Sequence, residues 1–312
     1  MNNRLRPKDY DIIFLSYDEP NAEKNYADLC SKIPWAKRVH GVEGSDAAHK
    51  ACADLSETDR FITVDADNIV YANYIQQIVN FKPEAQLDHS VVSWCGKNVI
   101  NGLVYGNGGL KCWPKSYVLN MRTHENAEPG NPQGQVDFCW DMRYIQMNTT
   151  FSDVYNNATQ QQAWRAGFRE GVKMALDQGV KPDTSKLYDG YWQNLHRLYI
   201  WQMIGADVEN GLWAIYGARE GLYRTMCTDW NFVNVRDFTY LNNLWNTEVS
   251  KIADDDLINH IEDIGRLLIK ELDIPISESP LSDQQSKFFK TVYQVPKRIN
   301  KEPFLIEDSN DT

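Results

Sequence analysis

Asp65-Ala66-Asp67 sets two carboxylates one residue apart, directly after the apolar run Arg60-Phe61-Ile62-Thr63-Val64. Two such groups at a strand's end can hold a hard divalent cation, which can in turn neutralise a diphosphate. The pattern alone carries little weight, because Asp9-x-Asp11 and Asp254-x-Asp256 repeat it. Position separates the three. Asp9 and Asp11 precede their strand, at the edge opposite the one where open α/β sheets bind ligands. Asp254, Asp255 and Asp256 stand at a helix start, where they complement the helix dipole. Only Asp65 and Asp67 close a third strand at its carboxyl end. The competing reading is a strand-end turn capped by aspartates.

The same sheet edge carries other polar groups. Tyr17, Asp18 and Glu19 follow the first strand, and His40, Gly41 and Glu43 follow the second, with Arg38 inside it. An aromatic face and a carboxylate there suit a base and a ribose. No Gly-x-x-x-x-Gly-Lys-Ser/Thr and no Gly-x-Gly-x-x-Gly follows strand one, so a backbone-amide phosphate cradle is not indicated. P-loop kinases and nicotinamide dehydrogenases lose ground for that reason, and a metal-held diphosphate gains it. Arg165, Arg169 and Lys173 recur at i, i+4 and i+8 beside the apolar stripe Trp164, Phe168 and Ala175. Such a row can grip a diphosphate or a DNA backbone; a solvated face balanced by Glu170 and Asp177 is the alternative. Tyr105-Gly106-Asn107-Gly108-Gly109 permits close backbone approach to a ligand, or is simply a turn.

These residues need elements to hold them. Residues 11–17 form an apolar run of strand length, followed by a turn and then a helix from about Ala22 with Tyr26, Leu29, Cys30 and Ile33 on one stripe. Residues 36–42 read as a short second strand. Ser45 can cap a second helix carrying Ala48, Ala51, Cys52 and Leu55, and residues 60–65 are the third strand. This β-α-β-α-β order implies a parallel sheet with right-handed crossovers. Residues 90–94 and 110–113 are further strands, and the polar, Pro/Gly-dense segment 124–134 is the candidate mobile loop. Helices are expected over 160–177, 191–205 and 208–224, and another around Leu257, Ile261, Ile264 and Leu268. Trp192, Trp201, Trp213, Trp230 and Trp245 fall mostly at apolar helical positions, where core packing is the default and stacking of one or two on a flipped base or a sugar is the alternative. The last 30-odd residues are polar enough for a loosely packed tail.

Composition bounds the function. The 312 residues include 10 Trp, 16 Tyr and 11 Phe, too much apolar bulk for a disordered chain. No apolar run approaches the ~20 residues a bilayer requires, and no signal-peptide core follows Met1. Cys30, Cys52, Cys95, Cys112, Cys139 and Cys227 contain no Cys-x-x-Cys, so reduced thiols in a cytoplasmic protein are expected rather than structural zinc. A net charge of −11 argues against broad, salt-driven nucleic-acid binding while leaving room for a local basic groove.

Asp-Ile-Ile-Phe-Leu-Ser-Tyr-Asp-Glu-Pro-Asn, then Ala-Lys-Arg-Val-His-Gly-Val, then Phe-Ile-Thr-Val-Asp-Ala-Asp resembles the start of a GT-A glycosyltransferase, most like the family-2-like enzymes of large tailed bacteriophages. Trp164-Arg-Ala-Gly-Phe-Arg-Glu and Tyr216-Gly-Ala-Arg-Glu-Gly look like that group too, so the resemblance covers roughly residues 10–225. It implies a Rossmann-like α/β fold, with a mixed, mostly parallel sheet flanked by helices. It also implies a catalytic domain over 1–230 (nucleotide-binding half to about 120) and a helical extension and tail at 231–312. The implied activity is sugar transfer, arabinose or glucose, from a UDP-linked nucleotide sugar held through Mn²⁺ or Mg²⁺. The implied acceptor is a hydroxylated cytosine (5-hydroxymethylcytosine or 5-hydroxycytosine) in phage DNA.

Carried over residue by residue, the resemblance gives Asp65 and Asp67 the metal, and Tyr17, Asp18, Glu19, Arg38, His40, Gly41 and Ala66 the nucleotide. Gly108 and Gly109 would lie against the donor sugar, Arg165 and Arg169 on its phosphates, and His196 would be a late metal ligand or else a packed helical histidine. Asp137 is the candidate general base of an inverting transfer, with Asp141 its competitor and a structural role for either still open. A DNA-acting enzyme of this charge should gather its positive potential near Arg165, Arg169, Lys173, Arg197 and Arg219. A polysaccharide or small-glycan acceptor is the first alternative, and a non-catalytic nucleotide-binding or virion module the second.

Overall fold

The computed structural model describes residues 3–106, 109–128, 130–136, 143–295 and 305. In chain order the strands are β1 (Arg4–Leu5), β2 (Asp11–Ser16), β3 (Lys37–His40), β4 (Arg60–Asp65), β5 (Asn68–Val70), β6 (Val79–Asn80), β7 (Ser90–Asn98), β8 (Val104–Tyr105), β9 (Leu110–Pro114) and β10 (Arg143–Val154). The helices are α1 (Ala22–Lys32), α2 (Ser45–Leu55), α3 (Lys115–Asn120), α4 (Pro132–Val136), α5 (Gln160–Ala175), α6 (Trp192–Met203), α7 (Gly211–Cys227), α8 (Phe238–Thr247), α9 (Leu257–Leu272) and α10 (Asp283–Val292). Among the described residues, no helix is long and apolar enough to cross a membrane. The five described cysteines are all free.

The main sheet has the order β3-β2-β4-β9-β7-β10-β5, with β8 paired to β7. The first two crossovers give the parallel triplet β3-β2-β4, as the β-α-β-α-β pattern predicts. Beyond it the sheet departs from the mostly parallel expectation. β9 runs antiparallel to both β4 and β7, β10 is parallel to β7, and β5 is antiparallel to β10. The physical reason is connection length. Only residues 99–109 join β7 to β9, too short for the helical crossover that a parallel return demands.

Alternation along the strands divides two cores between the sheet's faces. Ile12, Phe14, Ile62, Val64, Val92 and Trp94 point to the face covered by α1 through Leu29 and Ile33. Ile13, Phe61, Val91 and Trp113 point to the face covered by α2 and α3 through Cys52, Ala53 and Val118. Burial on both faces is why these strands are near-continuous apolar runs. A third core lies among the later helices and joins Trp164 and Phe168 of α5, Trp201 of α6, Trp213 of α7, Trp245 of α8 and Leu268 of α9.

Within that third core, α5 and α7 meet backbone to backbone. A Cβ placed on Gly167 would lie 1.9 Å from the Ala214 carbonyl oxygen, and one on Gly171 2.2 Å from that of Ala218. Reciprocally, Gly217 would strike the Trp164 carbonyl at 2.1 Å and Gly221 that of Phe168 at 2.3 Å. The two stretches quoted for the resemblance, 164–170 and 216–221, are therefore the two sides of one glycine-lined helix crossing.

Three sequence expectations need correction, and one strand went unread. Ser45 does not cap α2: Gly44, at φ +87°, is the N-cap residue, and the carboxylate of Glu125 accepts the Asp46 N–H from across the fold. The segment 124–134 is accordingly tied down where it is described. His124 is buried, its carbonyl accepts from Arg236 at 2.8 Å, and 132–136 is helical. The polar C-terminus is not a loose tail up to residue 295. α10 carries a Ser282/Gln285 capping box and docks through fully buried Ser286 and a 2.7 Å ion pair from Lys290 to Asp207. Strand β10 was not read from the sequence, because its pairing register shifts between Gln146 and Thr150 and breaks the two-residue period.

The glycine crossing yields a direct expectation. Gly217→Ala should lower the unfolding free energy in urea by about 3 kcal/mol, since a backbone oxygen cannot yield as a side chain would. Gly130→Ala, whose Cβ would meet nothing within 4 Å, should change it by less than about 0.5 kcal/mol. Equal effects would contradict the close crossing.

Candidate functional site

β4 delivers Asp65 to the carboxyl edge of the sheet, and the Asp65 N–H donates to the Gly109 carbonyl at 2.8 Å. Ala66 turns inward, buried, with its carbonyl accepting from Asn25 Nδ2 at 2.8 Å, and Asp65 and Asp67 on either side of it are half-buried. Asp67 is oriented by a chain of side chains. Ser152 Oγ on β10 donates to Asn68 Oδ1 at 2.8 Å, and Asn68 Nδ2 donates to Asp67 Oδ1 at 2.7 Å. Gly109 makes room for this arrangement, because a Cβ there would lie 1.8 Å from Asn68 Nδ2. Burial, with Asp65 and Glu19 close by, pushes Asp67 up to about 7. Asp65 is raised as well, mainly by burial, while Lys111 on β9 opposes the shift. Neighbouring carboxylates that resist ionising together are poised to take a cation.

Beside them, the ends of β2 and β3 form a polar ledge. Arg38 Nε donates to Ser16 Oγ at 3.0 Å, Ser16 Oγ and His40 Nδ1 are 2.9 Å apart, and Arg38 pairs with Glu23 at 2.7 Å. Gly41 follows at φ +71°, a conformation that favours glycine, and its N–H donates to the Ser16 carbonyl. The Tyr17 ring is 48% exposed, and the Tyr17 N–H donates to the Glu19 carboxylate at 2.8 Å. Tyr17, Asp18, Glu19, Arg38, His40 and Gly41 thus share one ledge with the acidic pair.

Helix α5 faces this acidic group with cations. Asp18, Glu19 and Asp67 all act on Arg165, partly offsetting the burial that lowers its pKa. Arg165 and Arg169 stack on the same face-providing residue, Phe238, with guanidinium carbons 4.9 and 4.7 Å from its ring centre. Burial, and Arg165 beside it, bring Arg169 down to about 10, and its Nε is buried with no hydrogen-bond acceptor. Among the described residues, neither arginine pairs directly with a carboxylate. Sequence reading missed the rest of this wall. His124 is held neutral, at about 3, by burial and by Arg169, Lys173 and Arg236, and His49 at about 4 by burial with Lys111 near. Arg236, Phe238 and Lys111 carried no local signal, since they reach the site only through the tertiary fold.

Other expected site residues fall elsewhere. His196 is not brought to the acidic pair. Its Nε2 lies 3.0 Å from the Tyr293 hydroxyl and its ring stacks on that tyrosine. Among the described residues, no three His, Cys, Asp or Glu side chains are grouped to hold a metal. Arg219 cannot face DNA: it is fully buried, donating to the carbonyls of Gln202, Ile261, Ser277 and Glu278. Asp137, Asp141 and Gly108 lie outside the described residues.

A hard divalent ion takes about six oxygen ligands, so Asp65 and Asp67 fit a cation that draws its remaining ligands from a diphosphate and water. The chain matches no protein-family model, and no curated protein matches it.

The raised Asp67 carboxyl has a sign that can be worked out. The folded protein holds this proton up to about 7, whereas the unfolded chain releases it near ~4. Between these values the native state binds more protons, so metal-free stability falls as pH rises, and it levels above about 7. Asp67→Asn removes this loss. In EDTA the variant should gain on the native protein between pH 4 and 7, reaching on the order of 2 kcal/mol at pH 8 after allowance for partial exposure. Urea unfolding across that range reads the gap; a gap that does not grow with pH would contradict the crowding.

Proposed function

We propose that the protein is a metal-dependent glycosyltransferase. It moves a sugar of arabinose or glucose type from a UDP-linked donor to the hydroxyl of a hydroxylated cytosine (5-hydroxymethylcytosine or 5-hydroxycytosine) in phage DNA. The GT-A reading is supported by one observation above the others. Asp65 and Asp67 end the third strand of a β-α-β-α-β unit, on the same edge as Tyr17 and His40, opposite the guanidinium group of Arg165, which shares the Phe238 ring with Arg169. Acceptor identity rests on the resemblance to tailed-phage enzymes. The overall charge of −11 restricts any DNA contact to the local cations of this edge.

Bound Mn²⁺ or Mg²⁺ supplies Lewis-acid charge to the diphosphate, and Asp65 and Asp67 would hold it. Arg165 and Arg169 take phosphate charge from the α5 side, and Phe238 beneath them limits hydration of the contact. Tyr17 offers a ring face to the base, and Arg38 with His40 a polar edge to the ribose. The acceptor hydroxyl oxygen forms the new bond to the anomeric carbon while that carbon's bond to the diphosphate breaks and its electron pair leaves with the nucleotide. The hydroxyl proton passes to a carboxylate, Asp137 in this reading, with Asp141 the alternative. Free thiols at Cys52, Cys95 and Cys112 suit a reducing compartment, such as the cytoplasm of an infected host.

Purified protein with Mn²⁺ should hydrolyse or transfer from a UDP-sugar, and Asp67→Ala should reduce that turnover at least 100-fold while leaving the fold intact. DNA carrying 5-hydroxymethylcytosine should yield mass-shifted nucleosides with one member of a UDP-sugar panel. Equal donor turnover in both proteins would contradict the metal assignment, and no shift across the panel would contradict the DNA acceptor.

A further inference from the structure

Among the helical tryptophans assigned by default to the core, Trp192 stands apart. Trp201, Trp213 and Trp245 are buried, whereas Trp192, the first residue of α6, is 50% exposed. It lines an open pocket of about 390 Å³ between β7, β8, β10, α6 and the chain following α10. His196, expected as a late metal ligand or else a packed helical histidine, belongs to a column of rings in this wall. Phe289 stacks on Tyr293 at 5.0 Å and 23°, and Tyr293 on His196 at 5.8 Å and 22°. Arg197 lies over the Tyr105 ring at 4.8 Å, and Asn148 and Gln193 add amide groups to the lining.

We infer that this pocket is a binding site for a planar nitrogen heterocycle bearing a phosphate, and that it seats the acceptor base. Three observations converge. The exposed Trp192 ring offers a flat face to a flat ligand. Gln193, whose Oε1 accepts from the Tyr191 hydroxyl at 2.6 Å, has Nε2–H groups that can donate to a heterocycle's acceptor edge. Arg197 is the one permanently charged residue in the described lining, which contains no carboxylate, so the pocket favours an anion over a neutral saccharide.

Its position fits the chemistry. Val104 lines the pocket, and Gly109, whose carbonyl accepts the Asp65 N–H, follows five residues later; their Cα atoms can therefore be no more than about 18 Å apart. A second link runs through Tyr105, whose hydroxyl donates to Glu170 at 2.6 Å, next to Arg169 on α5. The pocket lining and the acidic edge are thus joined by five residues of chain. The assignment to an acceptor rests on the transferase reading; the ligand chemistry of the pocket does not.

The test uses the full chain and two probes, 5-hydroxymethyl-2′-deoxycytidine 5′-monophosphate for the pocket and UDP with Mn²⁺ for the acidic edge, each followed by calorimetry. Trp192→Ala should weaken the monophosphate about tenfold, Trp192→Phe should restore most of the loss, and neither should move UDP–Mn²⁺ binding more than twofold. Monophosphate binding that is absent, or unchanged in Trp192→Ala, would overturn the pocket, as would preferential binding of an uncharged oligosaccharide such as cellotriose. Failure of UDP–Mn²⁺ to bind the native protein would instead overturn the donor reading and leave the pocket result standing on its own.

Discussion

Helices α5 and α7 approach so closely that four glycines interlock with four opposing carbonyls, and the position of the site's cations follows from that contact. Gly167 and Gly171 alternate with Arg165 and Arg169 along one helix, so the crossing that buries the glycines fixes the height and rotation of the arginines. Trp164 reinforces the crossing, donating from Nε1 to Glu220 on α7 at 2.7 Å, and Glu220 in turn pairs with Arg224. Phe238, at the start of α8, completes the platform. A change in the glycines is therefore felt at the ligand site through geometry, with no contact to the ligand required.

The site keeps opposite charges near one another without letting them cancel. Burial and the nearby Glu19 carboxylate raise Asp65 and Asp67, with Asp65 adding to the shift of Asp67, while burial holds Arg165 and Arg169 below their ordinary values and Arg165 lowers Arg169 further. A partly buried charge without a direct partner costs stability, and each half of this cleft carries that cost. A cation on the acidic side and a diphosphate between the two sides would relieve both together. Such relief favours simultaneous capture of metal and nucleotide over either alone.

Much of this was legible from the chain itself. Strands β2, β3 and β4 and the two helices between them follow from apolar runs and 3.6-residue stripes, because burial on one or both faces leaves an unmistakable pattern. Helices α5, α6, α7 and α9 are read for the same reason. Strand β10 was hidden by its register shift, and α10 by a polar composition whose docking rests on a few residues, Ser286, Phe289 and Lys290. At the site, Asp65 and Asp67 were recognised by their place in the β-α-β order, and Arg165 and Arg169 by helical spacing. What escaped was everything supplied across long sequence separations: Glu125 capping α2, Asn68 and Ser152 orienting Asp67, and Arg236 and Phe238 closing the basic wall. His196 and Arg219 show the converse error. Each has a residue type suited to function, and each is claimed by a structural partner.

The most direct measurement is anomalous diffraction from crystals grown with Mn²⁺ and UDP, recorded at the manganese edge. The expected result is a single strong peak bridging the Asp65 and Asp67 carboxylates, with the diphosphate beside it and within reach of Arg165 and Arg169. A manganese peak elsewhere, or a nucleotide bound on this edge with no metal between it and the two aspartates, would contradict the metal-held diphosphate on which the proposed chemistry depends.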